Sequence, residues 1–205
     1  EYLHFSRGTS YESGLTAVFS NTSLNLSSGS FADEDLKYTI TGANPYQVAV
    51  MYRGSGLLWS WTALQNSWWY AGPNGRPYYD NAGTLTELAN QAYGVYYLVA
   101  TNDTTSAIVS IMGQASYATL ANARSASYSG LAFGTLPTPE IKALYKVIIR
   151  ASVASGSYVE LLDLRTNTQL SGSAPVLTSH GSLSELLSDD HPQYALLAGR
   201  LGGQV

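Results

Sequence analysis

Short runs of β-branched, aromatic and aliphatic residues, cut repeatedly by Asn, Gly and Ser clusters, leave this chain room for strands and little for helices. Leu15-Thr16-Ala17-Val18-Phe19, Tyr38-Thr39-Ile40, Tyr46–Tyr52, Leu57-Leu58-Trp59-Ser60-Trp61 and Trp68-Trp69-Tyr70 read as strands of the first half. Their boundaries are turn formers: Asn21-Thr22-Ser23, Ser27-Ser28-Gly29-Ser30, Thr41–Pro45 and Gly54-Ser55-Gly56. In Pro73-Asn74-Gly75-Arg76-Pro77, Gly75 is free to take a positive φ and the two prolines stop any ladder. Gly94–Ala100 reads as a buried strand. Asn102–Thr105 turns the chain, and Ala107–Met112 returns it. Leu144–Arg150 and Tyr158–Leu164 form a hairpin across Ser155-Gly156-Ser157. The spacing predicts one helix near 116–128, capped by Ser116 and ended by Gly130, followed by an extended connector at Leu136–Glu140.

The expected fold is therefore mainly β. We expect an antiparallel, jelly-roll-like β-sandwich over residues 1–170, with one short helix. At 205 residues the chain is about one domain with a tail. Charged residues are 12% of it, about half the usual ~25%, and Ser, Thr, Asn, Gly and 16 Tyr take their place. A solvated disordered chain needs the opposite balance. The net charge of −4 and the lack of a Lys/Arg block argue against binding nucleic acid by phosphate neutralisation. The chain has no cysteine, which excludes disulfides and thiolate metal sites. No apolar run approaches the ~18 residues of a membrane span, so no membrane insertion is expected.

At Ser171 the character changes. Ser171–Pro175 reads as a linker, and residues 171–205 as a separate segment. Ser182 and Glu185 have capping-box spacing, with Leu183, Leu186 and Leu187 alongside. Pro192 suits a first helical position, and Leu196 and Leu197 follow. Pieces this short do not hold a helix alone in water, so these leucines need cover. The linker favours copies of the same segment as that cover, hence self-association.

Each candidate for chemistry has a plainer reading beside it. Asp33-Glu34-Asp35 follows a Ser/Gly loop and reads as a solvated turn. Glu160 and Asp163 sit three apart on a strand and face opposite sides, which is not a dyad. His4, His180 and His191 lack metal-site or triad spacing. Three copies of His191 around a trimer axis would offer three imidazoles to one ion, but a turn residue beside Pro192 is the plainer role. We expect no catalytic residues, no metal and no cofactor. The aromatic cluster is the strongest binding signal. Trp59 and Trp61 share one strand face, whereas Trp68 and Trp69 point to opposite faces, one buried and one exposed. With Tyr78, Tyr79 and Asp80 nearby, these rings suit a platform for sugar rings, or alternatively they fill a β-core.

The stretch from His180 to Leu197, with Asp189-Asp190-His191-Pro192-Gln193-Tyr194 at its centre, resembles a motif of bacteriophage tail-fibre and related virion appendage proteins. It covers roughly a tenth of the chain. A weaker likeness to phage structural proteins spans Tyr93 to Tyr145, through Tyr96–Asp103, Gly113–Leu120 and Leu136–Glu140. The resemblance implies an extracellular virion component, usually a homotrimer along a fibre axis, joined to other tail or appendage proteins. It implies that Leu183, Leu186, Leu187, Asp190, His191, Pro192, Tyr194, Leu196 and Leu197 belong to an oligomerisation segment at a junction with a shaft. It brings no catalytic residues. Two other functions stay open from the residues themselves: a module binding host surface carbohydrate, and a polysaccharide depolymerase.

Overall fold

The computed structural model describes residues 9–33 and 36–166. The residues named for oligomerisation, Leu183 to Leu197, and the three histidines lie outside the described residues. Among the described residues, thirteen strands and one α-helix follow in order. These are β1 (Thr9–Gly14), β2 (Ala17–Phe19), β3 (Leu24–Leu26), β4 (Gly29–Asp33), β5 (Leu36–Ile40), β6 (Ala49–Arg53) and β7 (Trp59–Trp61). After them come β8 (Tyr78–Asn81), β9 (Thr84–Glu87), β10 (Tyr93–Thr101), β11 (Ile108–Met112), α1 (Leu120–Ser125), β12 (Ile141–Ala151) and β13 (Gly156–Asp163).

The fold is mainly β and sandwich-like. Its centre is a six-stranded sheet in the order β13-β12-β10-β11-β6-β7. All its pairings are antiparallel except β11 with β6, which run parallel. A three-stranded sheet, β1-β4-β5, and the ribbons β2-β3 and β8-β9 complete the ladders.

Side-chain alternation along β10 shows how the layers meet. Tyr96, Leu98 and Ala100 enter one core with Leu15, Leu24, Phe31, Ile40, Val50 and Trp68 from the small sheets and loops. Val95, Tyr97 and Val99 enter a second core with Ala123 of α1, Tyr128, Phe133 and Leu136. The continuous apolar run of β10 is thus a strand covered on both faces, as its composition predicts.

Three local expectations change. Trp68-Trp69-Tyr70 is not a strand; the segment carries an isolated bridge from Ser67 to Ser23 and then turns. The helix is shorter than 116–128. Tyr117 still exchanges both backbone hydrogen bonds with Tyr93, so the chain stays extended there. The cap is Thr119, whose hydroxyl accepts from the Asn122 N–H at 3.2 Å, rather than Ser116. Leu136–Glu140 is not extended throughout, because Thr138–Glu140 closes a 3-10 turn.

Two buried polar devices fix the layers. Lys146 on β12 donates from Nζ to the Arg124 and Ala126 carbonyls at 2.7 and 2.6 Å, closing the C-terminal end of α1. Burial draws its ammonium pKa down. Asp80 on β8, fully buried, accepts from Arg53 Nε at 2.7 Å and from the backbone N–H groups of Arg53 and Gly83. Gly75 takes φ 74°, as its turn requires, and a Cβ there would meet the Ala154 carbonyl oxygen at 2.4 Å.

Candidate functional site

The tryptophans divide by what their indole N–H groups do. Trp59 donates to the Phe133 carbonyl at 2.6 Å, Trp68 to Ser20 at 3.0 Å and Trp69 to Asn21 at 2.7 Å. Trp68 is wholly buried, edge-on to Phe19 and Tyr96. Trp69 is buried too, which corrects the expectation that one of this pair faces solvent. Face alternation does not apply where the segment is not a strand, and each indole there reaches a carbonyl of the Ser20–Asn21 turn. Tyr78 and Tyr79 are half-buried, and the Tyr78 ring packs against Tyr70 at 5.4 Å. Asp80 is closed inside its Arg53 pair and cannot serve a surface ligand. These residues are mostly core, the plainer of the two readings.

Trp61 is the exception, with 68% of its surface exposed. It stands opposite Met51 on β7, an edge strand of the large sheet. Trp59 shares its face, as strand alternation predicts, and turns inward to Phe133. Beside Trp61 lies a groove of ≈260 Å³. Ala49, Met51 and Val109 of the sheet and Ile141 form its apolar part, with Leu136 and Pro137 of the preceding coil. Thr101, Asn102, Asp103, Ser106 and Glu140 supply its polar groups.

The polar groups are held in place. Asn102 Nδ2 donates to Glu140 Oε2 at 3.1 Å. Asp103 Oδ1 accepts the Thr105 N–H at 2.7 Å, an Asx turn. Thr101 Oγ1 donates to the Ser106 carbonyl at 2.9 Å, drawing the loop ends together. A second depression of ≈480 Å³ lies against the same loop, lined by Tyr46, Gln47, Leu64, Asn66 and Thr105 among others. Burial raises the Tyr46 phenol above its ordinary range.

In the sequence Asn102–Thr105 reads as a turn and Leu136–Glu140 as a connector, and nothing there brings either to Trp61. The signal was weak, because polar loop residues gain meaning only when a ring is placed beside them. Elsewhere the carboxylates are held in ion pairs: Glu87 with Arg76, Glu160 with Arg124 and Asp163 with Arg165. Glu160 and Asp163 therefore engage separate partners, in keeping with their opposite strand faces. Among the described residues no group of three His, Asp or Glu side chains converges as a metal site. The chain matches no family model, no curated protein and no solved structure.

Proposed function

We propose that this chain is a structural component of a bacteriophage tail fibre or related virion appendage, acting outside the cell as a homotrimer. It connects to other appendage proteins or presents a host-recognition surface. The observation that carries this reading is the Asp189-Asp190-His191-Pro192-Gln193-Tyr194 string following a β-rich unit of low charge. Adhesion then works by multivalency, with three weak sites on one rigid body raising avidity by about 10²–10⁴ over a single site.

A second reading, direct contact with host surface carbohydrate, is favoured by the exposed Trp61 beside a groove with a polar rim. Neither reading needs catalysis. Release of new reducing ends from a host polysaccharide by the full chain would overturn that and favour a depolymerase.

The test of the primary reading is the solution mass of the 205-residue chain against a truncation after Ser171, by light scattering. A trimer that becomes a monomer on truncation is the expected result. A monomer in both cases overturns the trimeric fibre reading.

A further inference from the structure

We propose that the groove beside Trp61 binds one pyranose ring of a neutral or amino-substituted glycan and rejects acidic sugars. The inference rests on the host-recognition reading and names the ligand that this surface takes.

An indole left mostly in water is a large apolar area without cover. Three of the four tryptophans spend their N–H on carbonyls inside the fold. The Trp61 N–H has no partner among the described residues and stays available to a hydroxyl. A pyranose has an apolar C–H face and a rim of hydroxyls. The groove has the complementary arrangement, with Trp61, Met51 and Leu136 as apolar surface and Asn102, Asp103 and Glu140 as polar groups. Its ≈260 Å³ lies just below the ~300 Å³ at which pockets begin to hold drug-sized ligands, so it suits a single ring.

The polar groups are pre-organised. Asn102 and Glu140 hold one another, and Asp103 is fixed by the Thr105 N–H. Asn102 keeps its side-chain carbonyl oxygen for a ligand, and Asp103 keeps Oδ2. Carboxylates only accept hydrogen bonds, so they favour hydroxyl or ammonium donors. No Lys or Arg lines the groove. A uronic acid would bring a third negative charge against Asp103 and Glu140, with no cationic side chain in the groove lining to balance it.

The test is titration of the full ¹⁵N-labelled chain, following the four indole N–H resonances. The probes are N-acetylglucosamine trimer, glucosamine trimer and galacturonic acid trimer. The first two should shift the Trp61 resonance alone, and the third should not. Trp61→Ala, followed through the backbone amides of Thr101–Ser106 in the same labelled chain, should weaken binding at least about tenfold, the scale of a ring contact. Glu140→Gln should keep the neutral trimer and reduce the preference for the glucosamine trimer. No Trp61 shift at tens of millimolar sugar, or an equal shift with galacturonate, overturns the proposal. So does a Trp61 resonance that moves with protein concentration instead, which would mean that a second copy fills the groove. The mass measurement separates the two failures. A trimer without sugar binding defeats this inference alone, and a sugar-binding monomer defeats the trimeric fibre reading alone.

Discussion

The guanidinium carbon of Arg165 lies 5.1 Å from the centroid of the Tyr145 ring, and 5.3 Å from that of Tyr11 on its other contact. Arg165, two residues beyond β13, is thereby bound to β1 and to β12, the second strand of the large sheet. Tyr145 extends the connection, since its hydroxyl donates to the Leu15 carbonyl at 3.0 Å.

Arg165→Ala should destabilise the fold by about 1–3 kcal/mol. The two ring contacts contribute about 0.5–2 kcal/mol and the hydrogen bond to Gly14 about 1 kcal/mol, while the half-exposed Asp163 pair adds little. Arg165→Lys, which keeps the charge and loses the planar fork, should fall between. Urea denaturation measures both. A change below about 0.5 kcal/mol for the alanine variant would mean that the clamp is decorative.

Acid should unfold this protein through a few identified carboxylates. The Arg165 hydrogen bonds hold Asp163 below its ordinary pKa. Those of Asn74, then Arg76, do the same for Glu87, and those of Lys37 and Ser30 for Glu12. A carboxylate whose folded pKa is depressed contributes stability above its unfolded value and loses it as pH falls through the folded one. Melting temperature should therefore be nearly flat from pH 7 to 5 and drop below about pH 4.5, near the unfolded carboxylate range. Glu87→Gln should show a shallower drop. An identical pH profile would remove Glu87 from the account.

Asp80→Ala should cost about 3–5 kcal/mol, because it leaves Arg53 buried without its partner. Asp80→Asn keeps one oxygen for one of the two backbone donors, the Arg53 N–H that Oδ2 accepts or the Gly83 N–H that Oδ1 accepts, and should cost less than the alanine change. The double change Arg53→Met with Asp80→Leu should recover part of the loss. It should not recover all of it, because those two backbone donors stay unsatisfied. Chemical denaturation of the four proteins is sufficient. Equal losses for Asp80→Ala and Asp80→Asn would refute the role given to the backbone donors.

Tryptophan fluorescence should separate into a readily quenched component from Trp61, an intermediate one from the half-buried Trp59 and two protected ones from Trp68 and Trp69. Acrylamide at modest concentration should reach Trp61, and Trp61→Phe should remove that component while changing stability by no more than about 0.5 kcal/mol. Trp68→Ala, in contrast, should cost about 3–5 kcal/mol through the cavity it leaves. Undiminished quenching in Trp61→Phe would show that another indole is as exposed as Trp61.

Much of the fold was legible because strand signals are local. The run through Val95–Ala100, the hairpin of β12 and β13 and the turn at Gly75 follow from residue type and spacing alone. The misreadings share a cause. Trp68-Trp69-Tyr70 has the composition of a strand, but the backbone bends there and both indoles reach carbonyls distant in sequence, those of Ser20 and Asn21. Ser116 has the chemistry of a cap, but the bridge between Tyr117 and Tyr93 keeps that stretch extended.

The sequence by itself determined the class of fold, since short apolar runs with frequent breakers cannot build long helices and must pair as strands. It also determined that the chain carries clustered tryptophans and no Lys/Arg block. Only the tertiary structure decided which ring remains outside. Four tryptophans lie within residues 59–69, and nothing in their local pattern tells Trp61 from Trp68. The difference arises from residues distant in sequence: Phe133, Ser20 and Asn21 offer carbonyls to three indoles, and Asn102 and Glu140 set polar groups beside the fourth. Strand formation is a property of neighbours along the chain, whereas burial is a property of neighbours in space.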